Sequence, residues 1–168
     1  MSADANSNDP YHRRNFDIKT LDDEIRVDAL CQEFLKLFYR DLVERRALAA
    51  EAASALAYGA DYFLREFVIP DRLENLLALR PGRVRQFAGN WYIVRTLEPN
   101  MVELRSILSG VDAFYDFCLH QKRVDAALRE QVRRETADLS FYQDRIQAFW
   151  EISGDGFFAW DRACPLRD

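Results

Sequence analysis

Side chains able to do covalent chemistry are few in this chain and stand far apart. There are two histidines, His12 and His120. No His-x-x-x-His, Cys-x-x-Cys or clustered-carboxylate spacing accompanies them, so neither a metal site nor a cofactor is expected. Gly154–Asp155–Gly156 follows a helical pattern rather than a strand, the wrong setting for a phosphate-binding loop. Cys118 and His120 are two apart on a helical stretch, where side chains point in different directions; they read as a core thiol and a surface histidine. Asp112 and Asp116 share a helix face at i, i+4, for which a solvated pair is the ordinary outcome and a cation site the sharper one. No nucleophile-elbow motif marks a hydrolase. Enzymatic activity therefore ranks last among the functional readings.

Arginines carry the strongest chemical signal. Arg80, Arg83, Arg85 and Arg95 fall close together, and between Asp71 and Arg95 five arginines stand against Asp71 and Glu74. Lys122 and Arg123 extend this patch if the fold brings their turn near. Guanidinium forks suit phosphate oxygens, so these six residues form a candidate nucleic-acid face. An exposed arginine face paired with neighbouring acids is the plainer alternative. The whole chain is acidic, with a formal charge of −5 and a pI of about 5.2. It has no overall attraction to DNA or to an anionic membrane, and only a local patch could act.

These residues must be positioned by helices. Of the 168 residues 49% are apolar, enough for one domain to bury a core, and six glycines with five prolines leave few turns. The expected class is all-α, a compact helical bundle. The central strut is the segment from Glu98 to Arg123, where Leu104, Ile107, Leu108, Val111, Phe114, Tyr115 and Cys118 recur at helical spacing. Pro99 suits its first turn and Asn100 its cap. Val27 to Leu42 and Ala53 to Phe67 form two further stripes, with a turn near Arg46–Ala49. Val68–Ile69 precedes Pro70 and is expected to be extended. Asp71 should cap a short helix ended by Pro81–Gly82, and Val84 to Val94 another.

Residues 1–20 lack periodicity and read as a mobile arm; 21–168 form a single helical domain with its bundle core at 21–123. Residues 124–152 are expected to form one long helix with a heptad seam at Leu128, Val132, Glu135, Leu139, Tyr142, Ile146 and Phe149. Glu135 interrupts that seam, and Glu135→Leu should stabilise the bundle if the position is buried. Residues 153–168 read as a docked aromatic tail. The odd cysteine count and the polar N-terminus favour reduced thiols, a cytoplasmic location and no membrane span.

The order of segments YGADYFLREFVI and LRPGRVRQFAGNWYIVRTLEPNMVELRSILSGVDAFYDFCLHQKRV resembles the N-terminal core-binding domain of phage integrases and tyrosine recombinases. The matching residues are Val84 and Phe87, then Leu104, Ile107, Val111, Phe114 and Phe117, within residues 27–124. The resemblance implies a SAM-like pair of crossed helical hairpins that forms half of a DNA clamp. The family's catalytic domain has no counterpart here. His120–Gln121–Lys122–Arg123 spells the family's His-x-x-Arg motif, but within the binding domain, and is read as coincidence. Two non-catalytic functions follow. One is a DNA-binding module acting through Arg80, Arg83, Arg85, Arg95, Lys122 and Arg123. The other is a protein-interaction or homodimeric assembly module acting through Leu139, Tyr142 and Ile146 on the 124–152 helix.

Overall fold

The computed structural model describes residues 8–164. Every regular element among them is helical and no strand occurs. Helix α1 (Leu21–Glu44) starts at Thr20, whose hydroxyl accepts from Asp23 N while the Asp23 carboxylate accepts from Thr20 N. This capping box, rather than Asp22 or Asp23 alone, fixes its start. After the turn at Arg46–Ala49, α2 (Ala50–Tyr62) runs back along α1 and continues as a π-helical segment, Phe63–Val68.

The central strut is α5 (Met101–His120), capped by Asn100, whose side-chain oxygen accepts from Glu103 N at 2.8 Å. Its buried face is the one that the periodicity marks. Phe114 meets Phe34 and Phe38 of α1 edge-on, at centroid distances of 5.7 and 5.4 Å. Against α2 the backbones themselves touch. A Cβ on Gly59 would lie 2.8 Å from the Ile107 carbonyl oxygen, and one on Gly110 2.9 Å from Ala60 N.

Between α2 and α5 the chain forms one helical rod from α3 (Arg83–Gln86) through a π-helical turn, Phe87–Trp91, into α4 (Tyr92–Arg95). The two π segments interlock through aromatic rings, with Phe63–Phe87 at 5.1 Å and Phe67–Trp91 at 5.3 Å. Val68–Ile69 is helical, not extended. Ile69 has φ −76 and ψ −60, and its N–H donates to Leu64 O. Both residues are buried, and packing overrides the local preference before Pro70. The short helix expected from Asp71 is instead a turn followed by a 3-10 segment, Leu76–Ala78, capped by Asn75.

The single helix expected over 124–152 is two helices, α6 (Ala126–Ala137) and α7 (Leu139–Trp150), hinged at Asp138 with φ −80 and ψ 53. At the hinge the Tyr142 hydroxyl donates to the Glu135 carbonyl at 2.6 Å. That carbonyl would serve Leu139 N–H in an unbroken helix.

Of the segment read as an arm, residues 8–20 are described and 1–7 lie outside the described residues. A 3-10 turn, Arg13–Phe16, places Phe16 fully in the core, and Tyr11 stacks on Phe34 at 5.0 Å. At the other end α8 (Phe157–Arg162) docks through the buried Trp160 and through Asp161, which accepts from Asn90 Nδ2 at 2.8 Å, while Phe157 and Phe158 stay exposed. Residues 165–168 of the tail lie outside the described residues. No helix among those described is long and apolar enough to cross a membrane.

Candidate binding groove

Three pieces of chain border a groove of about 730 Å³: the segment from Leu77 to Pro81, the turn from Lys122 to Asp125, and one face of α6. Each is fixed by local chemistry. Gly82 ends the first piece in the left-handed conformation, φ 91, which a residue without Cβ adopts freely. Asp125 caps α6 by accepting from Leu128 N at 2.8 Å.

The turn at the end of α5 is a Schellman closure. Arg123 N donates to Cys118 O at 2.8 Å and Lys122 N to Leu119 O at 2.9 Å. Lys122 itself occupies the left-handed position, φ 59, where glycine is the usual residue.

A carboxylate that periodicity assigned to the helical seam ties α6 to the chain that follows the first piece. Glu135 is only 5% exposed and accepts from Gly82 N at 3.1 Å, Arg85 N at 2.9 Å and Gln131 Nε2 at 2.9 Å. It caps α3 from outside that helix, supplying the acceptor that Gly82 has no side chain to provide.

The six expected arginine and lysine positions separate into two groups. Arg80, Lys122 and Arg123 line this one groove, as the sequence anticipated if the turn came near. Arg83, Arg85 and Arg95 do not. Arg83 binds Glu74 at 3.0 Å and is nearly buried. Arg85 binds Asp138 at 2.5 Å and lies over the Phe141 ring. Arg95 remains 60% exposed, 3.6 Å from Asp71 and over Trp91. Arg123, although in the groove, is bound to Asp9 at 2.7 Å and to Tyr11 O at 2.9 Å. Burial by itself would raise the Asp9 carboxyl; its bonds to Arg123 and Tyr11 N–H outweigh this and hold it below its ordinary value.

Two groove residues lay outside the sequence patch, Arg13 and Arg134. Arg13 falls in the presumed arm and Arg134 on the presumed seam helix, so only the fold places them beside Lys122. Their signal was charge alone. Among the described residues, no carboxylate lies within ion-pair distance of Arg13, Arg80, Lys122 or Arg134.

The partner seam does not form a surface. Tyr142 is fully buried, Ile146 is 7% exposed, and Leu139 packs against the core. Their alternation reflects burial within this chain, because the hinge turns α7 onto the 87–91 π turn. There Arg145 donates to Gly89 O at 2.8 Å and to Trp160 O at 2.6 Å.

A second concavity, between α1 and α2, is walled by Leu35, Tyr39, Val43, Ala57 and Tyr58. Of its charges, Arg65 pairs with Asp61 within it and with Asp28 beside it, and Lys36 pairs with the neighbouring Glu33. No group of three or more His, Cys, Asp or Glu side chains gathers among the described residues in a way that could hold a metal ion. Cys118 is fully buried, and desolvation pushes its thiol well above the ordinary value, away from nucleophilic use. Comparison with protein-family models, with curated proteins and with solved structures finds no match to this chain.

Proposed function

We propose that the chain is a non-catalytic binding module and that the groove beside α6 holds an anionic partner. The carrying observation is the convergence of Arg13, Arg80, Lys122 and Arg134 on one groove with no carboxylate of the described residues within ion-pair distance of them, although Asp125, Glu130 and Glu135 also line it and Glu130 feels the Arg134 charge. Unpaired cations on a concave surface concentrate negative ligands even when the net charge is negative. The backbone at Lys122 adds support. A side chain in the left-handed region costs about 1 kcal/mol relative to glycine, and here that position carries an exposed cation. The recombinase resemblance names DNA as the anion. Only part of the expected DNA face is available for it, because Arg83, Arg85 and Arg123 are held by Glu74, Asp138 and Asp9. The three unpaired, buried cysteines suit a reducing compartment and support a cytoplasmic location.

The test is fluorescence anisotropy with labelled duplex DNA, single-stranded DNA and an acidic peptide, at low and moderate salt. The expected result is binding of at least one anion that weakens as salt rises and is lost in R80E/K122E, with thermal unfolding unchanged. Binding unaffected by that double reversal, or no binding of any anion at low salt, overturns the proposal. In the same assay Lys122→Gly should raise stability by about 1 kcal/mol while weakening binding, which separates the cost of the turn from its use.

A further inference from the structure

We infer that the groove's partner is a protein segment: a short acidic amphipathic helix, its apolar side chains against Val124, Ala127 and Leu128 and its carboxylates against Arg80, Lys122 and Arg134. This rests on the reading of the groove as an anion site, and goes further by naming the class of anion.

The character of the lining favours peptide over nucleic acid. The accessible apolar part of the groove is aliphatic, supplied by Pro81, Val124, Ala127 and Leu128 above the buried Leu77, Leu79 and Val132, and no aromatic ring of the described residues lines it. A nucleic-acid strand in a cleft gains much of its affinity by stacking bases on rings. This chain has twelve Phe and seven Tyr, yet those whose ring contacts are described pack elsewhere, in the α1–α5 core, around the two π turns and at α7 and α8. An aliphatic floor is instead what the apolar stripe of an amphipathic helix covers.

Charge points the same way. The cations come from separate segments: Arg13 from the first 3-10 turn, Arg80 from the residue before Pro81, Lys122 from the α5 turn and Arg134 from α6. They share the groove with aliphatic side chains, a combination that suits a helix bearing both carboxylates and an apolar stripe. The groove's own acids are engaged. Asp125 caps α6, Glu130 pairs with Arg133 at 2.5 Å, and Glu135 holds Gly82 and Arg85 N–H. Five cations, Arg13, Arg80, Lys122, Arg123 and Arg134, line the groove against these three acids, so an incoming carboxylate meets a net positive lining. Ala127 to Arg134 gives the wall a length of about 10 Å, or two helical turns of a partner.

The deciding experiment compares three labelled probes by anisotropy. One is a peptide of glutamates with leucines at helical spacing. The second is a scrambled peptide of the same composition, and the third is single-stranded DNA of equal charge. The expected result is that the patterned peptide binds about tenfold more tightly than the scrambled one and more tightly than the DNA. Ala127→Glu, on an exposed helix position, should weaken the patterned peptide about tenfold without changing thermal unfolding. Equal binding of patterned and scrambled peptides, or tighter binding of DNA, overturns the peptide assignment and leaves the anion site standing. Failure of all three probes at low salt overturns both. An A127E variant that is folded and binds the peptide undiminished excludes this face.

Discussion

Glu135 shows how far a residue's meaning can depend on its partners. From spacing alone it is an error in an apolar seam, and leucine there should stabilise the bundle. In the structure its carboxylate receives two backbone N–H groups of the α3 start and the Gln131 amide. Substitution by leucine would leave those donors without an acceptor in a buried site, where each lost partner costs about 1–3 kcal/mol. We expect Glu135→Leu to lower stability by about 2–4 kcal/mol in urea denaturation. A raised midpoint would mean that the three bonds contribute less than apolar packing. Tyr142 belongs to the same junction. Its hydroxyl replaces a helix N–H at the Glu135 carbonyl, so one buried ring both fills the core and marks the hinge.

At the scale of elements, α5 and α2 pack at a distance set by two glycines. Gly110 lies beside Ala60 N and Gly59 Cα, and Gly59 beside the Ile107 backbone. Since the obstructing atoms are main chain, a side-chain rotation cannot relieve the clash. Gly110→Ala should force the helices apart and cost about 2–4 kcal/mol, although alanine favours an isolated helix by about 1 kcal/mol. A thermal midpoint equal to or above that of the parent would show that the helices separate easily. The periodicity of α5 was legible because its stripe is wide and unbroken. The hinge at Asp138 was not. It is accompanied by the Tyr142 hydroxyl bond across the break and by an ion pair from the distant Arg85, and no glycine or proline marks it.

For the molecule as a whole, the first described residues are part of the core rather than an appendage. Phe16 is fully buried beside Phe34, and the Arg123–Asp9 pair ties this segment to the end of α5. Phe16→Ala should cost about 3–5 kcal/mol of global stability, the usual range for a buried phenylalanine. A two-state unfolding curve unchanged by the substitution would return residues 8–20 to the status of an arm. The same docking brings Arg13 to the groove, so the anion site and the stability of the N-terminal segment share one piece of structure.

The sequence by itself determined the helical class, the central place of α5, the turn before α2 and the absence of a metal-ligand spacing. Each is written in local periodicity, in capping residues or in the types of side chain present. It also placed Arg80 near Lys122 and Arg123 as a condition on the fold, and that condition is met. Tertiary structure alone decided which cations remain unpaired. Glu74, Asp138 and Asp9 lie respectively nine, 53 and 114 residues from the arginines they bind. A charge is available to a partner only when no opposite charge of the same chain reaches it first, and that is a property of distances in space.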